Sequence, residues 1–153
     1  MTKRFGTHLL LAPLLGLVFS TTAQANFKGN LNVEIEGLRS NAGQVCISLF
    51  GSSKGFPDKG KFALHDKCFQ ITEIPFMIKF KGLKAGNYAI VLMHDENSNQ
   101  SMDMDNLGMP REGFGFSQNP EITNRAPKFR ESAFLVAGPE TNIKINMNYM
   151  SGF

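Results

Sequence analysis

Residues His94 to Asp105 read HDENSNQSMDMD. Four carboxylates and three amides stand here, and no lysine or arginine lies between Ala85 and Pro110. Asp95, Asn97, Asn99 and Asp103 occupy the first, third, fifth and ninth places of a D-x-N-x-N-x-x-x-D pattern, with Asp105 two places on. That is most of the spacing with which a calcium loop presents its oxygens. A hard cation takes about six to eight oxygens at about 2.3–2.6 Å. Alternate residues of a tightly wound loop aim short side chains at one centre, and the ion relieves repulsion among Asp95, Asp103 and Asp105. Gln100 stands where glycine normally permits the turn, and Asn106 where a bidentate glutamate closes the sphere. The expectation is a strand-exit Ca2+ loop with Asp95, Asn97, Asn99, Asp103 and Asp105 as ligands. Against it stands a solvated acidic turn, in which Asn and Asp serve backbone geometry.

Two other chemistries can be drawn from nearby residues. His94 with Glu112 and Ser117 suggests a hydrolytic site, yet no G-x-S-x-G elbow and no ordered base–nucleophile set is legible. His94 is expected to cap its strand and hydrogen-bond the loop. Met93, His94, Met102, Met104 and Met109 suggest a periplasmic copper protein, because thioethers suit Cu(I). Core packing is the competing reason for those methionines. No Cys/His spacing suits zinc. The lysines Lys54, Lys59, Lys61, Lys67, Lys79, Lys81 and Lys84 form a basic middle section. They suit an envelope protein or polysaccharide partner, or simply blunt strand edges.

The elements that must position these groups are strands. Leu31, Val33 and Ile35 alternate with Asn32, Glu34 and Glu36, and Val45, Ile47 and Leu49 with Cys46, Ser48 and Phe50. KCFQITEI is a strand candidate. Phe76, Ile78 and Phe80 oppose Met77, Lys79 and Lys81. NYAIVLMH is apolar on both faces, which predicts cover on both sides. SAFLVA and TNIKINMNY complete the set. About seven short strands without a long helix predict an all-β fold, an antiparallel β-sandwich of the immunoglobulin or transthyretin kind. Gly51 to Lys67 reads as a loop with one short helical turn. From His94 to Lys128 no strand is expected; loops of that length tend to be functional or disordered, and Leu107, Met109, Phe114, Phe116 and Ile122 are too apolar for a solvated tail. It is expected to fold back over the second face of the Tyr88–Met93 strand, with Phe114 and Phe116 as anchors.

The N-terminus reads as a signal peptide over residues 1–25. Lys3 and Arg4 precede the apolar LLLAPLLGLVF, and Ala23 and Ala25 have signal-peptidase spacing. The apolar run is shorter than the roughly 17–25 residues a membrane span needs. A mature chain of residues 26–153 is then one domain with no transmembrane segment, periplasmic or secreted. Loss of Lys3 and Arg4 lowers the formal charge from +3 to +1, which gives no case for nucleic acid. The even pair Cys46 and Cys68 predicts a disulfide in that oxidising compartment.

Several stretches carry a resemblance: GLRSNAGQVCISLF, KGFPD, FKGLKAGNYAIVLMHDENSNQSMDMDNLGMPREGFGFSQN and PKFRESAF. They resemble an exported bacterial family known as domain of unknown function 2141. The resemblance implies a periplasmic or secreted β-sandwich, with glycine in most members near Ser98 and at Gln100. It brings no activity. LKAGNY is similar to the strand-opening motif of carboxypeptidase-regulatory and collagen-binding B-type sandwich domains, where the tyrosine helps pin a corner. The functional expectation is an exported, non-enzymatic binding or envelope-associated accessory module.

Overall fold

The structure is a computed structural model that describes residues 27–150. The expected signal peptide lies outside the described residues. Eight strands form: β1 (Lys28–Glu36), β2 (Gln44–Phe50), β3 (His65–Gln70), β4 (Phe76–Lys84), β5 (Gly86–Asp95), β6 (Gly113–Phe116), β7 (Phe134–Val136) and β8 (Glu140–Asn146). A 3-10 turn at Gly60–Phe62 and a single helical turn, α1 (Phe129–Ser132), interrupt the connections.

The strands make two sheets. One has three strands in the order β4-β1-β8; the other has five, β3-β2-β5-β6, with β7 beside the start of β5. Their facing sides hold the expected alternating residues. Leu31, Val33, Ile35, Val45, Ile47, Leu49, Ile90, Leu92 and Ile145 are all fully buried in one core. Each such side chain contributes about 1.5–3 kcal/mol when removed from water. The layers are sandwich-like, with two corrections to the expected pattern. The fold is not purely antiparallel, since β1 and β8 run parallel with Val33 opposite Ile143. And a strand exists between His94 and Lys128: β6 pairs antiparallel with β5, Phe114 opposite Met93 and Phe116 opposite Val91. GFGF alternates, but a run of four residues that is half glycine is too short and too poor in strand formers to announce a strand.

The turn before β5 is pinned as the LKAGNY resemblance implies. The Tyr88 hydroxyl donates to the Lys84 carbonyl at 2.7 Å, and burial pushes its pKa up. Cys46 and Cys68 face each other across β2 and β3. They form a disulfide, with Cα atoms 3.8 Å apart.

Candidate functional site

The acidic loop leaves β5 at Asp95, and its negative charge is held by hydrogen bonds. Asp95 is fully buried. Its carboxylate accepts from the Gln44 amide at 2.7 Å and from the backbone N–H of Gln100 at 2.7 Å and Asn99 at 3.0 Å. Burial pushes this carboxyl up, but the Gln44 amide and the backbone N–H groups of Gln100, Asn99 and Ser98 outweigh it and leave the pKa lowered. Glu112, also buried, closes the other side of the loop. It accepts from the backbone N–H of Glu96 at 3.0 Å and of Asp103 at 3.1 Å. The loop does meet a base, one distant in sequence. Arg39, from the β1–β2 turn, pairs in bidentate fashion with Glu96 and lies over the Tyr149 ring. That hydrogen bond lowers the Glu96 pKa more than burial raises it.

The five expected cation ligands separate into three groups. Asn97 and Asn99 both donate to Asp103, at 2.6 and 3.2 Å, so these three side chains converge. Asp95 lies beneath them with both oxygens engaged. Asp105 turns away and accepts from the backbone N–H of Leu107 at 2.8 Å and Met109 at 2.9 Å. Among the described residues, no three His, Cys, Asp or Glu side chains converge as a metal cluster. Ser98 and Gln100 are in the left-handed region, with φ of 60° and 61°. That is the conformation glycine adopts without cost, and these are the positions where the resemblance implies glycine.

The hydrolytic set is not assembled. His94 is fully buried on the core side of β5. Its Nδ1 meets the Tyr149 hydroxyl at 2.7 Å and its Nε2 the Ala42 carbonyl at 2.9 Å. The tautomer with hydrogen on Nε2 satisfies both partners. His94 thus ties the β1–β2 turn to the C-terminal segment, which corrects the expectation that it bonds its own loop. Ser117 donates to the Ser132 carbonyl at 2.5 Å and accepts from Ile90 N–H. The copper set is split too, because His94 and Met93 are consecutive strand residues and point to opposite faces.

The remaining methionines belong to a surface that sequence reading passed over. The outer face of the five-stranded sheet is covered at both ends and open between. At one end Asp95 and Gln44 sit under the acidic loop. At the other, the Phe56 ring packs edge-on against Phe50, Phe116 and Phe129, at centroid distances of 5.3, 6.3 and 5.8 Å. Between them lies a groove of about 870 Å³. Register sets its floor, since the Cys46–Cys68 bridge, Met93 and Phe114 form one row across four strands. The acidic loop and the segment Ile122–Pro127 form walls. Met93, Met102, Met104, Met109 and Met150 all line it. Phe114 and Phe116 are buried on this face, as expected of anchors, but they act as strand residues. The cover is partial: Leu107 stands 88% exposed.

A bacterial family described as "Uncharacterized protein conserved in bacteria (DUF2141)" matches residues 33–144. The chain belongs to this family. The matched DUF2141 region runs from the middle of β1 into β8 and takes in both the acidic loop and the groove floor. No curated protein and no solved structure matches the chain. Sequence reading missed the groove because its methionines come from β5, the acidic loop and the C-terminal segment. The clustering of Met93, Met102, Met104 and Met109 within the 93–109 stretch was the available signal.

Proposed function

We propose that the protein is an exported, non-enzymatic binding module whose ligand site is the groove on the outer face of the five-stranded sheet. One observation carries this reading: five methionines from three segments, β5, the acidic loop and the C-terminal end, converge on a single groove of about 870 Å³. Ligand pockets typically span about 300–1,000 Å³ and are mainly apolar. Methionine makes an apolar surface that adapts to its ligand. Export draws support from the Cys46–Cys68 disulfide, since such bonds persist in oxidising compartments. Among the described residues no helix is long and apolar enough to cross a membrane.

The test is saturable binding of Nile red, an uncharged apolar dye, to residues 26–153. Binding at one site per chain, abolished by Met93→Lys on the groove floor, is the expected result. Absence of saturable binding, or an unchanged response in the lysine variant, removes the reading. A Ca2+ ion bracing the loop is a second proposal, supported by the convergence of Asn97, Asn99 and Asp103. Binding requires both amides to turn their oxygens toward Asp103. Calorimetric titration of calcium into chelator-treated protein decides it: heat lost in Asp103→Ala supports the ion, and no heat removes it.

A further inference from the structure

The groove is lined by sulfur to a degree that its apolar character alone does not require. Nine sulfur-bearing side chains lie among the described residues, and seven of them line it: the five methionines and the Cys46–Cys68 bridge. Only Met77, exposed on the three-stranded sheet, and Met147, buried in the core, lie elsewhere. Two rings, Phe114 and Phe116, share the surface. Thioether sulfur is polarisable and attracts the edge of an aromatic ring beyond ordinary apolar contact. A wall of leucines would exclude water equally well and would lack that preference.

Charge narrows the ligand further. The groove's charged lining residues are Asp58, Asp66, Lys67 and Arg125, two of each sign. Two already have protein partners: Asp66 accepts from the Ser48 hydroxyl at 2.6 Å, and Arg125 pairs with Glu131 at 2.8 Å. The lining therefore offers no net charge to attract an ion. Walls on both sides and a volume within the small-molecule range favour a compact ligand over a flat protein surface.

Resting on the proposed binding function, we infer that the groove selects a small, uncharged, aromatic molecule through its methionine sulfurs. The experiment displaces Nile red with 2-naphthaleneethanol and with its fully saturated decalin counterpart. Both are measured on the wild type and on a variant with Met93, Met102, Met104 and Met109 changed to leucine. Methionine-to-leucine exchange conserves volume and apolarity, so the site keeps its shape. The aromatic alcohol should lose about fivefold or more in affinity in the leucine variant, and the saturated one less than about twofold. Equal losses, or no loss for either, overturn the inference while leaving the apolar site standing. Failure of Nile red to bind the wild type removes both. A second measurement needs no variant. With methyl-13C methionine, 2-naphthaleneethanol should produce ring-current shifts at Met93, Met102, Met104 and Met109 and leave Met77 and Met147 still. Shifts absent from the groove methionines, or spread equally over all, overturn it independently.

Discussion

Asp95→Asn isolates the group on which the acidic loop rests. The wild-type carboxylate receives three donors at 2.7–3.0 Å while fully buried. A hydrogen bond to a charged group contributes about 1.5–3 kcal/mol, and stranding a buried donor costs about 1–3 kcal/mol. Asparagine keeps one acceptor oxygen and places an amide N–H against a donor, so at least one bond is lost. Removing the burial cost of the charge offsets part of that loss. The expected destabilisation is about 2 kcal/mol near neutral pH. Sign matters for its pH dependence. The folded pKa of Asp95 is lowered, so its contribution is fully present above the unfolded value of about 3.9 and is lost as pH falls through the folded value. The gap between wild type and variant should therefore stay constant above about pH 5 and narrow below about pH 4. Urea unfolding followed by circular dichroism, with chelator throughout, measures both. A gap under about 0.5 kcal/mol, or one that does not narrow in acid, would refute the assignment of Asp95 as the loop's anchor.

Other consequences are direct. Replacing Cys46 and Cys68 together with serine should lower stability by about 3 kcal/mol by the loop-closure relation for a separation of 22 residues, read from urea midpoints. Tyr88→Phe leaves the Lys84 carbonyl without its donor and should cost about 1 kcal/mol in the same assay. At Ser98, where φ is 60°, valine should destabilise by at least about 1 kcal/mol and glycine should not. The Arg125 hydrogen bond and the Lys128 N–H hold the Glu131 pKa down at about 2. The Arg125–Glu131 pair beside the groove wall should thus persist from neutral pH into acid and be lost only as pH falls toward that value. The NMR titration of the Glu131 carboxyl checks this.

What sequence determined by itself is the set of residues facing the core. Alternation is a local property with a period of two, so Leu31–Val33–Ile35 and Phe76–Ile78–Phe80 could be assigned to one face before any partner strand was known. The disulfide was legible for a similar reason, as an even pair with no competitor. The doubly apolar character of Tyr88–Met93 also announced a second covered face. Tertiary structure alone decided who the neighbours are. The parallel pairing of β1 with β8 joins segments more than 100 residues apart, and nothing in either strand encodes it. Arg39 reaches Glu96 across 57 positions, which is why the acidic loop looked unrelieved in sequence. His94 could be placed on a strand but not given a partner, because Tyr149 and Ala42 arrive from other elements. The groove has the same origin: its floor follows from register between strands, and its walls from two loops folding onto one face. A side chain's type and the face it occupies are written locally, whereas the group it meets depends on chain closure over long separations, which only the folded packing fixes.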